Sequence, residues 1–324
     1  MARRERHKKE STAARIKNWS ISIILAIIMF CGLQSYSASS LRFVQVSDVH
    51  FSTRQTNTTY KLTGESPELL DDAIEQINAI PDVNFVMFTG DQIDKSFEKE
   101  LSAFLPHAEK LVYPWYIAFG NHDTCIGGYL TPSVYLSLVS KHNKNFNFTT
   151  PYYSFVPQKG YKVIVLDTII RDRITANGEI SKEQLQWLDN QINASPKDTI
   201  LIFMHVPIIE PYSSPGHKLL NAEEVEAVLE KYKNPIGVFQ GHYHGAKITQ
   251  KGNILYVSSA ALVSYPNVFR VVNVTNYRRR VVFDIKTRET RLQNLQKLAK
   301  IMVFGTTIYS GEEQDQNGIY IIKK

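Results

Sequence analysis

Short runs of Val, Ile, Leu and Phe recur along the chain at Leu41–Val46, Val83–Thr89, Trp115–Phe119, Thr199–Met204 and Ile236–Gln240. Runs this short, bounded by turn residues and apolar on both faces, predict buried strands of an α/β sheet. Between them the apolar spacing changes to a helical one. Ser66-Pro67 opens a segment with Leu69, Leu70, Ala73, Ile74 and Ile77 on one face, and it reads as a cap followed by proline at the first helical position. Ser181 with Gln184 reads as a capping box ahead of Leu185, Leu188 and Ile192. Strands and helices thus alternate through Tyr232, and strand-like segments near Tyr153, Val163, Leu255, Val271 and Val281 are expected to complete two sheets. The tail predicts a helix over Arg291–Ile301, then strands over Met302–Ser310 and Gly318–Ile322 packed as an extra hairpin.

The strand ends carry polar clusters. Asp48-Val49-His50 follows the first run and Gly90-Asp91 the second. Gly120-Asn121-His122-Asp123 follows the third, His205 the fourth and Gly241-His242-Tyr243-His244 the fifth. Open α/β sheets place ligand sites just past strand ends. Oxygens from Asp48, Asp91 and Asn121 with imidazoles from His50, His205, His242 and His244 make a mixed N/O donor set without sulfur. Such a set suits Mn, Fe or Zn better than Ca or Mg. Taken singly, Asp48 reads as a turn former, Asn121 as a residue tolerating left-handed backbone, and His205 as a satisfied structural histidine. Their joint occurrence, each at a strand end, overrides those readings. His7, His107, His142 and His217 read as solvated surface, although His217 lies in a loop, Pro207–Lys218, that follows a candidate ligand and could line a cleft.

The order Asp-x-His, Gly-Asp, Gly-Asn-His-Asp, a lone His and Gly-His-x-His resembles the calcineurin-like metallophosphoesterases from roughly Arg42 to Asp284, with a pattern most like the class III cyclic-nucleotide phosphodiesterase branch. The resemblance implies an α/β fold, a two-sheet β-sandwich flanked by helices in an α/β/β/α arrangement. It implies two divalent ions, one held by Asp48, His50 and His244, the other by Asn121, His205 and His242, with Asp91 bridging. A hydroxide between two such ions attacks phosphorus in line. His122 would then be the general acid that protonates the leaving oxygen, with Asp123 orienting its imidazole. Asp123 reads equally as a helix or turn cap.

Two positions depart from related subtypes. Purple acid phosphatases carry Tyr three residues after the bridging Asp, where this chain has Asp94, so a ferric-tyrosinate site is not expected. Phosphoprotein phosphatases carry phosphate-gripping arginines where this chain has Lys95 and Phe119, so bidentate phosphate recognition is not expected there.

Residues 1–40 form a basic n-region and an apolar leader helix, with Trp19–Leu33 free of charge and small residues at Ser35–Ser39. This pattern predicts either a cleaved signal peptide or a membrane anchor, and in both cases an extracytoplasmic, periplasmic or secreted, catalytic domain. The leader also changes the charge argument. Seven basic and two acidic residues before Trp19 account for five of the formal +6, leaving +1 for the remainder. Nucleic acid is therefore not an expected partner. Outside the leader only Cys125 remains, so no disulfide framework is expected.

The expected organisation is a leader over 1–40, a phosphoesterase domain over 41–285 and a C-terminal extension over 286–324. The expected function is an exported dinuclear-metal phosphohydrolase acting on a small phosphodiester or phosphomonoester, with no protein partner. The alternative is a non-catalytic interaction protein that keeps the fold. Substrate identity is carried by loops such as Arg54–Glu65 and Pro207–Lys218, which hold no diagnostic pattern.

Overall fold

A computed structural model describes residues 38–324. The expected leader helix lies outside the described residues. Among those described, no helix is long and apolar enough to cross a membrane.

The first half alternates as expected: β1 (Ser39–Val46), α1 (Ser66–Asn78), β2 (Phe85–Thr89), α2 (Glu98–Ala108), β3 (Trp115–Ala118), α3 (Asn121–Thr124) and α4 (Pro132–His142). Then come β4 (Tyr153–Gln158), β5 (Tyr161–Val165), α5 (Lys182–Asn193), β6 (Thr199–Phe203), α6 (Ala222–Glu230) and β7 (Ile236–Gln240). The chain finishes with β8 (Lys247–Lys251), β9 (Ile254–Ser258), β10 (Val268–Asn276), β11 (Arg280–Glu289), α7 (Gln293–Met302), α8 (Thr306–Ser310), α9 (Glu313–Gln316) and β12 (Asn317–Lys323).

Two six-stranded sheets result, ordered β12-β11-β10-β1-β2-β3 and β4-β5-β6-β7-β9-β8. The apolar runs become their central strands because only such positions are covered on both faces: β2, β6, β7 and β9 are buried at every residue. Phe43 of β1 joins the layers, its ring edge-on to Phe203 and Phe239 of the other sheet at 5.2 and 4.8 Å. Helices cover the outer faces, giving the expected sandwich. β1, β2 and β3 run parallel, as do β6 and β7, so the strand ends that carry the polar clusters emerge on common edges.

Local details differ from the sequence reading in four places. Ser66 is the first helical residue and its side chain does not cap α1. Its Oγ instead donates to the Thr63 carbonyl at 2.8 Å and accepts the Ser52 N–H at 2.9 Å. Ser181 does cap α5 through the Gln184 N–H, but the Gln184 side chain is drawn to the backbone of Asp167 rather than back to the cap. In the tail, Thr306–Ser310 is a helical turn and not a strand, and the run at Gly318–Ile322 lies in β12, which pairs antiparallel with β11. The tail therefore extends a sheet and forms no hairpin of its own. β11 continues to Glu289, past the boundary expected at 285.

Candidate metal centre

Backbone strain marks the site before any side chain is considered. Asp48, His50, Asp91, His242 and His244 all adopt positive φ, between 42° and 73°. Non-glycine residues enter this region at a cost of order 1–3 kcal/mol each, and they persist there only when the surroundings force them. Here the loops interlock: Asp48 N–H donates to the Gly90 carbonyl, His50 N–H to the Asp91 carbonyl, and Gly241 N–H to the His205 carbonyl. Glycine is required where the loops touch. A Cβ on Gly90 would lie 2.1 Å from His205 Nδ1, and one on Gly120 would lie 2.1 Å from the Asp91 backbone nitrogen.

The side chains converge on one buried place. Asp91 Oδ1 accepts the His122 N–H at 2.9 Å, while its Oδ2 lies 3.4 Å from both His50 Nε2 and His205 Nε2. On one side His50 Nε2 and His244 Nε2 stand 3.1 Å apart, with Asp48 Oδ1 3.6 Å from His244 Nε2. On the other, His205 Nε2 lies 3.0 Å from His242 Nδ1 and 3.3 Å from Asn121 Oδ1. Three groups, Asp48-His50-His244, His50-Asp91-His122 and Asp91-His205-His242, offer ligand atoms within 4.8 Å of one another.

Hydrogen bonds behind the rings fix which nitrogen faces inward. His244 Nδ1 meets Ser264 Oγ at 2.8 Å, His205 Nδ1 the Thr89 carbonyl at 2.9 Å, and His50 Nδ1 the Asp94 carboxylate at 3.3 Å. With the proton assigned to Nδ1 in each, the Nε2 lone pairs of His50 and His244 face one another across 3.1 Å, an arrangement that repels unless a cation lies between them. The charges agree. Burial pushes Asp48 up to about 7; His205 opposes that shift and Asp91 adds to it. Burial would lower His205, but Asp91 and Asp48 carry it up to about 9. Burial, with Lys61 and His122 adding to it, holds His50 down to about 3. A neutral imidazole is what a metal requires, and a divalent ion would offset the two buried carboxylates in place of the His205 proton. The donor set fits a divalent metal.

His122 stands beside this cluster, ring centroid 4.5 Å from that of His50. Its Nδ1 donates to the Asp94 carbonyl oxygen at 2.6 Å, which leaves Nε2 to reach a substrate. The expected orienting role of Asp123 is not what the structure shows. Asp123 is fully buried, and its carboxylate accepts the N–H groups of Gly120 at 2.7 Å and Ile93 at 3.2 Å. It is a cap, drawn to two backbone donors of the strained loop. Asp94 holds the imidazole instead.

Lys61 and Ser264 were not singled out by sequence, and Asp94 only as a departure from a related subtype. Lys61 Nζ lies 3.4 Å from Asp94 Oδ1, and with His50 and His122 it overcomes the burial of Asp94, keeping that carboxyl well below its ordinary range. Only the spacing of Asp94 after Gly90-Asp91 was a usable signal; Lys61 and Ser264 sit in segments with no motif. His217, read as surface, is exposed yet borders the site, its ring centroid 5.2 Å from that of His242.

The family model of the calcineurin-like phosphoesterases matches residues 41–246. The chain belongs to that family. It is similar to a probable glycerophosphodiester phosphodiesterase of Arcobacter nitrofigilis, 25% identical over 67% of this chain and 77% of that protein. It is also similar to human tartrate-resistant acid phosphatase type 5, 27% identical over 75% of this chain and 79% of that one. A Nostoc 3',5'-cyclic-nucleotide phosphodiesterase is 25% identical over 68% and 77% of the two chains. Among solved structures a dimetal phosphatase from Danio rerio superposes with a TM-score of 0.61 at 18% identity, covering 77% of this chain and 99% of that one, a likeness of fold. The chain is a metal-dependent phosphoesterase, and family and donor clusters together imply divalent metals.

Proposed function

We propose that the chain hydrolyses a small phosphodiester or phosphomonoester at a centre of two divalent ions, drawn from Mn, Fe or Zn. The observation that carries this reading is the position of Asp91 Oδ2, equidistant at 3.4 Å from an imidazole nitrogen of each half-site. Asp48, His50 and His244 would hold one ion and Asn121, His205 and His242 the other, with Asp91 shared. Two ions so placed supply Lewis acidity toward a phosphoryl group and lower the pKa of water at the centre.

The protein's own part is positional. Asp94 and Ser264 fix the imidazoles of His50 and His244 so that their Nε2 atoms face inward. His122, fixed at Nδ1 by the Asp94 carbonyl, delivers a proton from Nε2 to the departing oxygen. The basic, apolar leader supports export of the domain, as a cleaved signal or an anchor. A periplasm-active reporter fused after Ser40 would then be active outside the cytoplasm; activity confined to the cytoplasm refutes export. Hydrolysis is tested with a panel of phosphodiesters and monoesters on the chelated protein resupplied with Mn, Fe, Zn or Mg. Turnover that returns only with added metal is expected, and no turnover of any ester with any metal overturns the reading.

A further inference from the structure

The C-terminal tail reaches the metal-site loop. Directly after His244 and Gly245, the Ala246 N–H donates to the Tyr309 carbonyl at 2.9 Å. The seat is close: a Cβ on Gly245 would lie 2.9 Å from both the Ile308 carbonyl oxygen and Tyr212 Cε1, and one on Gly311 would lie 2.5 Å from the Ala246 carbonyl oxygen. Farther on, Asp315 pins the tail. Its carboxylate accepts the Ile248 N–H at 2.9 Å and Lys247 Nζ at 3.3 Å, and its carbonyl accepts from the buried Arg270 guanidinium at 2.7 Å.

This strap delivers an aromatic ring. Tyr309 lies 5.9 Å from Tyr60 and 6.5 Å from Tyr212, and Tyr60 meets His244 edge-on at 5.4 Å, all between centroids. Tyr212 is braced in turn, its ring 5.1 Å from Tyr243 and its hydroxyl donating to the Tyr243 carbonyl at 2.6 Å. Three tyrosines from the loop after β1, the loop after β6 and the tail therefore stand in a row that starts at a candidate metal ligand. All three are only partly buried, unlike the core ring Phe43, which is fully buried. A ligand ring beside such faces gains offset or edge-to-face contacts that a methyl or glyceryl group does not.

We infer that Tyr60, Tyr212 and Tyr309 wall the subsite for the organic group of the ester, and that the substrate carries a flat ring there, as an aryl or nucleoside phosphoester does. The inference rests on the phosphoesterase reading above. Tyr309 is a specificity-determining residue, supplied by a segment far from every metal motif.

The test is calorimetric binding of phenylphosphonate and methylphosphonate to the metal-loaded full-length chain, with KM and kcat for phenyl and ethyl phosphoesters measured alongside. Wild type binds phenylphosphonate more tightly. Tyr309→Ala and Tyr309→Leu weaken it about three- to tenfold and raise KM for the phenyl ester more than for the ethyl ester, while metal content stays at the wild-type level; Tyr309→Phe behaves as wild type. The leucine variant keeps apolar volume in the strap, so a loss there reports the flat face. Equal binding of the two phosphonates by wild type, or equal effects of Tyr309→Leu on both, overturns the inference while ester hydrolysis stands. Failure to hydrolyse any ester or bind either phosphonate overturns the phosphoesterase reading and this one with it.

Discussion

His122 Nδ1 donates to the backbone carbonyl of Asp94 across 2.6 Å, so the imidazole is held by main chain rather than by a carboxylate. That bond fixes the tautomer and leaves Nε2 as the proton-bearing or proton-accepting atom when the ring changes charge. His122→Ala is expected to keep its metals and lose roughly 10²-fold or more on an alkyl phosphoester. The loss on a nitrophenyl ester should be clearly smaller, because that leaving group is stable as the anion. Equal losses on the two esters, with metal content intact, remove His122 from the acid role.

The Asp94 carboxylate lies 3.3 Å from His50 Nδ1 and, beyond hydrogen-bond reach, 3.9 Å from His122 Nδ1, while the Asp94 carbonyl holds His122. Asp94→Ala removes only the carboxylate, so metal affinity should fall about 10- to 100-fold, the usual effect of losing a partner behind a ligand. At saturating metal the leaving-group dependence should match wild type. A metal titration monitored by activity checks both, and unchanged affinity contradicts the role.

Asp123 is predicted to matter for stability. Asp123→Ala strips the acceptors from the buried Gly120 and Ile93 N–H groups, a loss of about 1–3 kcal/mol for each buried group left unsatisfied. Denaturant unfolding of the variant should show that loss. If its leaving-group dependence instead mirrors that of His122→Ala, Asp123 orients the imidazole after all.

The metal-free site stores protons where the ions would sit. His205 keeps its proton up to about 9 and Asp48 up to about 7, and both must be deprotonated to bind metal. Metal uptake therefore releases protons, and affinity rises with pH. The lowered His50, His242 and His244 are already neutral in this range and add nothing to the slope. The gain in melting temperature on adding Mn should grow from about pH 6 to about pH 9. A gain independent of pH across that window contradicts the assignment.

Much of the site was legible because its donors are local in sequence and follow strands with a strong apolar signal. Asp48, His50, Asp91, His205, His242 and His244 bring donor atoms near one another, and Asn121 Oδ1 lies 3.3 Å from His205 Nε2. What surrounds them was not legible, because it is assembled by the fold. Lys61 and Ser264 reach Asp94 and His244 from loops of ordinary composition. The tail misled for a different reason. Thr306-Thr307-Ile308-Tyr309 has strand-like composition, but Gly305 and Gly311 at either end take φ of +78° and +68°, and the Ala246 N–H captures the turn between them. Tertiary contact there overrides local preference.

The shared position of Asp91 is tested most directly by metal analysis of purified wild type, Asp91→Asn and His50→Ala, each assayed on the same ester. Wild type should hold two tightly bound equivalents, His50→Ala should mainly lose one, and Asp91→Asn should weaken both and lose activity. Two tightly held equivalents with wild-type turnover in Asp91→Asn would contradict a shared dinuclear centre.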